Sequence, residues 1–500
     1  MGTFEPRDRS GVQETPPCPP PHATPDPSSK RAILLVASLA SFLAAFMGSS
    51  VNIALPTIGR EFQTSAVAMG WVTTAYLLAA AVGLVPFGRL ADLHGRKRVF
   101  TIGLLVYTLA AAACAFAPTN TILIAFRIAQ GIGAAMVFST SAALVSSAFP
   151  REERGRALGW NVAAVYTGLS LGPFLGGVLT ERLGWRSLFL VNIPLGTLIV
   201  ALVVWRIRDE WAEFRGARFD LPGAFIYGTG IVALMMGFSS LPAVSGLLLV
   251  LGGLAALLGF GAWQTRCDSP LLDLCLFRGN RTLVLSNVAA FINYAATAAV
   301  GFLLSLYLQY NRGLSPESAG LVLVSQPILQ AVFSPLAGRL SDRVQPRFLA
   351  SIGMTMTTLG LGFLAFLGPE TPLPLLVAVL AWLGLSFALF SSPNTNAVMS
   401  AVNARYYGAA SGTLATMRAL GQIASMGTAM LLLSLFIGNV AISEENALRY
   451  LSAARVAFAL FAGLCALGIL ASFARGNLRR QPAIVDRANG HETQSPADPP

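Results

Sequence analysis

About fourteen apolar runs follow one another along this 500-residue chain, and each is long enough to cross a bilayer core of about 30 Å as a helix rising about 1.5 Å per residue. They fall near residues 32–58, 67–90, 99–117, 121–149, 157–180, 187–205, 221–239, 244–263, 282–310, 319–340, 348–367, 373–398, 407–438 and 451–473, divided by charges and by Pro and Gly breaks. With 54% hydrophobic and only 11% charged residues, the chain cannot hide its apolar surface in a water-soluble core. The expected fold class is all-α integral membrane, with the lipid bilayer as its solvent.

Composition excludes several functions. A net charge of +11 suits nucleic acid in principle, but the arginines lie in short clusters between apolar runs rather than on one soluble face, so no nucleic-acid partner is expected. Only Lys30 and Lys97 are lysines, and neither stands in the G-K-[ST] setting of a phosphate-cradling loop. His22, His94 and His491 lie outside the spans, which removes histidine from any intramembrane relay or metal site. Cys18, Cys114, Cys267, Cys275 and Cys465 have no C-x-x-C spacing. No metal, no cofactor, no catalytic residue and no enzyme activity are expected.

Charge also sets topology. Residues 1–31 form a Pro-rich tail with almost no apolar content, expected to be disordered, and the first long run follows Lys30-Arg31 as a signal anchor rather than a cleavable peptide. Arg96-Lys97-Arg98, Arg151/Arg154/Arg156, Arg206/Arg208/Arg215/Arg218, Arg278/Arg281, Arg339/Arg343/Arg347 and Arg475/Arg479/Arg480 share one face; the alternate joints carry only Arg60, Arg182, Arg186, Arg312 and Arg449. The arginine-rich face is expected to be cytoplasmic, with both termini on it, including a disordered tail at 475–500.

An internal repeat divides the chain. Gly88-Arg89-Leu90-Ala91-Asp92 recurs as Gly338-Arg339-Leu340-Ser341-Asp342, 250 positions later, and Gly155, Gly159 and Gly168 recur as Gly408, Gly412 and Gly421, 253 positions later. Two similar offsets indicate duplication: a six-helix half at 32–206 and another at 282–474. The runs at 221–239 and 244–263 have no counterpart, so 207–281 is read as an inserted pair with flanking loops.

The most charged stretch of the first half, Gly88-Arg89-Leu90-Ala91-Asp92-Leu93-His94-Gly95-Arg96-Lys97, reads as a very short loop between two spans. It resembles the pattern G-x-L-A-D-x-x-G-R-K of the major facilitator superfamily. Arg127 to Ala135 is similar to that superfamily's R-x-x-Q-G-x-G-A-A motif. Gly159, Gly168, Gly172, Pro173, Gly176 and Gly177 match its antiporter motif, associated with exporters. Trp71-Val72 with Ala75-Tyr76-Leu77, the stretch Trp185 to Gly196, and Phe219-Asp220 with Gly223 make residues 32–474 resemble its fourteen-helix drug:proton antiporters. The resemblance implies two six-helix halves with substrate bound between them. It also implies a conformational latch at Gly88, Asp92, Gly95 and Arg96, with Asp92 near the N-terminus of the helix starting about Tyr407, where the helix dipole favours a negative charge.

Two readings of Arg127 and Gln130 stay open: coupling or anion binding, or a structural arginine bonded to carbonyls of the first helix. An intramembrane arginine costs about 2.5–3.5 kcal/mol on insertion scales and needs a polar interior or a partner. The first helix departs from the family, because Met47 stands where the aspartate is usual. Ser38, Ser41, Ala45, Gly48 and Asn52 make one small, polar stripe, a pattern commoner in packing than in binding. Asn52, Asn293, Tyr294, Gln326, Gln330, Asn394 and Arg418, with Asn396 and Gln422, are expected to line a cavity. None of the 23 acidic residues falls in the middle of a span. The expected function is a monomeric, proton-coupled efflux permease for small molecules. The alternatives are a carrier of neutral or anionic metabolites and a non-transporting membrane sensor, for which no output domain is visible.

Overall fold

The computed structural model describes residues 27–475 except 208–209, 212–217, 268, 273, 278, 403–406, 439 and 443–445. Among these residues there is no strand. Fourteen helices among the described residues are long and apolar enough to span a membrane. They are α1 (Ser29–Phe62), α2 (Ala66–His94), α3 (Arg96–Ala115), α4 (Asn120–Ala148), α5 (Glu153–Leu183), α6 (Arg186–Arg206), α7 (Leu221–Ser240), α8 (Val244–Gln264), α9 (Arg281–Asn311), α10 (Pro316–Arg343), α11 (Pro346–Ala365), α12 (Leu373–Ser400), α13 (Ala409–Phe436) and α14 (Ala447–Phe473). An even number of spans returns the chain to the face it started from. That face, where α1 begins and α14 ends, is called the terminal face below, and the opposite one the distal face.

Helix is already present at Pro27, just ahead of the span α1, so Lys30 and Arg31 lie within helix rather than at the end of a tail. The stretch between α2 and α3 is shorter than a loop. Helix runs to His94 and resumes at Arg96, with only Gly95 between, at φ +115°. That left-handed backbone is the reason for glycine there, and a single such residue is enough to reverse the chain. Elsewhere polar caps start the helices by accepting orphan N–H groups: Ser65 from Ala68, Thr119 from Ile122, Asn280 from Leu283 and Ser315 from Ser318.

Within the first half α5 packs along α1, and α4 packs against both α2 and α3. The second half repeats this arrangement with α13 along α9 and α12 against both α10 and α11. The repeat reaches single atoms: a Cβ on Gly168 would lie 2.5 Å from Phe42 O, and one on Gly421 would lie 2.5 Å from Phe291 O. The pair α7 and α8 packs on itself and leans on α2 and α13 through α7. Asp220 holds it together, its carboxylate accepting from Gly223 N (2.8 Å), Trp263 Nε1 (3.0 Å) and Gln264 Nε2 (2.7 Å). The outward side chains of α8, such as Leu248, Leu251 and Leu258, are exposed and apolar, as lipid contact requires.

Candidate functional site

The two halves touch on the distal side. Pro56 in α1 has no N–H, which leaves the carbonyl of Asn52 without its helical partner. Ser305 of α9 donates to that carbonyl at 2.7 Å, and Gln309 Nε2 donates to the next one, Ile53 O, at 2.9 Å. A π-helical turn at Tyr307–Asn311 carries Gln309. Further out, Arg182 of α5 pairs with Glu317 of α10 (3.2 Å), and Glu181 accepts from the Glu317 N–H (2.9 Å). At mid-depth Ser170 donates to Pro327 O (2.9 Å), and the hydroxyls of Tyr166 and Ser391 meet at 3.2 Å. Among the described residues, these are the inter-half hydrogen bonds of α5 nearest the terminal face. Below them, Gly159 on α5 and Gly412 on α13 have nothing within 4 Å of a would-be Cβ. The hydrogen bonds between the halves among the described residues thus lie at the distal face and at mid-depth.

The expected cavity residues divide. Asn52 belongs to the closed distal contact: its carbonyl takes Ser305, and its side chain accepts from Thr73 Oγ1 at 3.0 Å. Asn396, half-buried, donates to Ser341 (2.8 Å) and Asp342 (3.2 Å) and so ties α12 to α10. Gln326 and Gln422 are half-buried and Gln330 is buried. Arg418 and Tyr294 come together with Thr395 and Phe387, which the sequence does not single out. Arg418 Nη2 donates to Thr395 Oγ1 (2.6 Å), and its guanidinium carbon lies 5.7 Å from the Tyr294 ring centroid. The Tyr294 ring meets Phe387 edge to face, with centroids 5.3 Å apart. Both Asn394 and Asn293 are buried with their amide oxygen and nitrogen unpaired.

Arg127 is fully enclosed. Its Nε donates to Val72 O of α2 (3.0 Å) and its Nη1 to Gln130 Oε1 (2.5 Å), while its guanidinium sits 4.3 Å from the Tyr76 ring centroid. Its bonds thus go to α2 and to its own helix, not to α1, and Nη2 has no partner. Met47 is buried, and Asn192 Nδ2 contacts its sulfur at 3.1 Å while Tyr107 donates to Asn192 Oδ1 at 3.2 Å. Replacing Arg127 by lysine should destabilise the protein by about 1.5–3 kcal/mol, because a point-charge ammonium cannot serve Val72 O and Gln130 together. Thermal melting of the purified variant checks this; an unchanged melting temperature would show that the enclosed bonds contribute nothing.

The small stripe of α1 is a packing surface. Ser41 bonds Ser141 of α4 (3.2 Å), Ala45 lies under Gly168, and Ser38 is left without a partner. In the latch region Asp92 is held inside its own half. It accepts from Arg96 Nη2 (2.8 Å) and Nε (3.0 Å), and Arg96 Nη1 reaches Ser147 of α4 (2.5 Å). Gly88 is not a point of close approach here, since the nearest atom to its Cβ position is Ser139 Cβ at 3.7 Å. Glu210 and Trp211, beyond α6, meet this region instead: Glu210 accepts from Lys97 N (3.0 Å), and Trp211 O accepts from Arg96 N (2.8 Å). Of the antiporter-motif glycines, Gly168, Gly172 and Gly176 lie against α1 in α5, and Pro173 meets Gly320 of α10; Gly159 is open.

Comparison with known proteins agrees with this architecture. The family model of the Major Facilitator Superfamily matches residues 37–220 and 287–497. The riboflavin transporter RibZ of Clostridioides difficile is 30% identical over 88% of this chain and 96% of its own length. The multidrug resistance protein Stp of Mycobacterium tuberculosis is 35% identical over 78% of this chain and 73% of its own, and the cephamycin export protein CmcT of Amycolatopsis lactamdurans 33% identical over 81% and 85%. Among solved structures, a bacterial homologue of the human lysosomal transporter Spinster, inward-facing and unoccupied, superposes with a TM-score of 0.67 at 15% identity, covering 90% of this chain and 98% of that one. With its fourteen spans and paired halves, this chain belongs to the Major Facilitator Superfamily and is a multi-pass membrane transporter, not an enzyme.

Proposed function

We propose that this transporter is a proton-coupled exporter of small amphipathic molecules, acting as a monomer in the cell membrane by alternating access between its halves. The observation that carries the reading is one-sided closure: hydrogen bonds and an ion pair join the halves at the distal face, and uncovered glycines stand toward the terminal face. Such a molecule offers its interior to one side at a time. The arginine-rich joints support a cytoplasmic terminal face, so the conformation described is open to the cytoplasm. The glycine pattern of α5 and the relatives named for multidrug resistance and cephamycin export support outward transport.

A second reading concerns substrate charge. Among the described residues, the acids of the spans stand at or near helix ends, including Glu61, Asp92, Glu181, Glu317 and Asp342. No carboxylate is thus placed at mid-depth to hold a proton or attract a cation, whereas Arg127 and Arg418 are cationic. Neutral or acidic substrates are favoured, in keeping with a relative named for riboflavin. Proton coupling would then use a rim acid such as Asp92 or a proton carried by the substrate.

The test is dye uptake into inverted vesicles, with size-matched neutral, anionic and cationic dyes, with and without an uncoupler. Uncoupler-sensitive uptake of neutral and anionic dyes is expected. No uptake of any dye would overturn export, and strong ethidium uptake would overturn the charge preference. Orientation is tested by a cysteine at the exposed position 218 on a cysteine-free background, which should react only from the cytoplasmic side.

A further inference from the structure

We infer that the second half carries a subsite for flat aromatic anions, formed by Tyr294, Phe387, Asn394, Thr395 and Arg418; this rests on the reading above that the gap between the halves is the substrate path. Phe387, Ser391, Asn394 and Thr395 recur at three- and four-residue steps on α12 and therefore share one face. Ser391 meets Tyr166 of the other half, so this face borders the contact between the halves. Tyr294, Thr395 and Arg418 are each half-buried, as wall residues of a cleft are.

Charge selects the ligand's sign. Thr395 Oγ1 is a neutral acceptor for Arg418 Nη2, Nε has no partner, and among the described residues no carboxylate pairs with this arginine. A mid-membrane guanidinium without a counter-charge is costly. A carboxylate or similar oxyanion supplies that charge, and the planar fork of arginine suits it two bonds at a time. A cation meets like charge instead. The Asn394 amide, buried on the same face with both ends unpaired, has a donor and an acceptor left for the ligand's remaining polar atoms.

Shape follows from the rings. Tyr294 and Phe387, edge to face at 5.3 Å, present adjoining aromatic surfaces beside the guanidinium. An aromatic ligand stacks against such rings in offset or edge-to-face geometry. The combination fits a fused-ring carboxylate better than an aliphatic acid.

The experiment is calorimetric binding to the purified full chain of three probes of one size: 2-naphthoate, 2-naphthamide and 2-naphthylmethylammonium. Naphthoate should bind at least about tenfold tighter than the ammonium, and tighter than the amide. Arg418→Gln should cut the naphthoate-to-naphthamide affinity ratio at least about tenfold, with Arg418→Lys recovering only part of it. Thr395→Val, which removes the acceptor that positions Nη2, should lower the same ratio less, and covers the case in which the arginine variants fail to fold. Tyr294→Leu should weaken both naphthyl oxygen compounds alike. Equal binding of the three probes, or a ratio untouched by all the Arg418 and Thr395 variants that fold, would overturn the subsite. Charge-selective binding without vesicle uptake would support it and count against export alone; uptake with charge-blind binding would do the reverse.

Discussion

Valine at Gly172 is expected to prevent this protein from assembling. Helix α5 runs against α1 so closely that a Cβ at position 172 falls on the Ser49 hydroxyl and lies 3.1 Å from Phe46 O. One turn earlier, a Cβ on Gly168 would sit 2.5 Å from Phe42 O and 3.0 Å from Phe46 N; one turn later, a Cβ on Gly176 would sit 2.7 Å from Ser50 Cβ. Most of these neighbours are backbone, which has no rotamer to turn aside. Overpacking a tight site costs about 1–3 kcal/mol when neighbours can yield; here a whole helix must move away, and the other glycine contacts open with it. Gly172→Val should therefore give little monodisperse protein by size-exclusion chromatography and background dye export. Gly168→Ala and its repeat partner Gly421→Ala should each lower stability less severely. Normal yield and export from Gly172→Val would mean that α5 does not run against α1 in the membrane.

That contact was legible in the sequence because small residues at a fixed spacing have few other uses in lipid. The spans were legible for a similar reason, since only helices satisfy the backbone through about 20 apolar residues. Polar side chains within spans were harder to place. Asn52, Asn394 and Asn396 look alike as isolated amides in apolar runs, yet one accepts from Thr73 inside the first half, one is buried and unpaired and one ties α12 to α10. Nothing local to an asparagine tells these apart. Ser305 and Gln309 were missed although a signal existed: Pro56 must free the carbonyl of Asn52, so some donor was required. The sequence could not say that the donor comes from the other half, more than 250 positions away. Arg127 reads from the sequence as an arginine in need of partners, but its enclosure by Val72, Gln130 and Tyr76 depends on how α2 and α4 pack.

Leucine at Gly159 or Gly412 should have an opposite signature, leaving assembly intact while stopping transport. These residues stand 253 positions apart, at the terminal-face ends of α5 and α13. A Cβ on either meets nothing within 4 Å, although nine residues further along each helix Gly168 and Gly421 are packed to backbone contact. In this conformation glycine has no steric purpose at 159 or 412, and in a helix interior it costs about 0.8–1.0 kcal/mol against alanine. A purpose exists if the halves also close at the terminal face, because these ends would then be brought against neighbouring helices. Gly159→Leu and Gly412→Leu should thus give normal yield and monodispersity, since the open conformation has room for the side chain, yet lower dye export at least about tenfold by obstructing closure. A loss of 1.4 kcal/mol from the closed state is a factor of about 10 in its population, and an inserted isobutyl group at a backbone contact exceeds that. The matching alanine variants should lose less. If leucine at both positions leaves export unchanged, these glycines face lipid in every state, and closure at the terminal face must be carried by other residues.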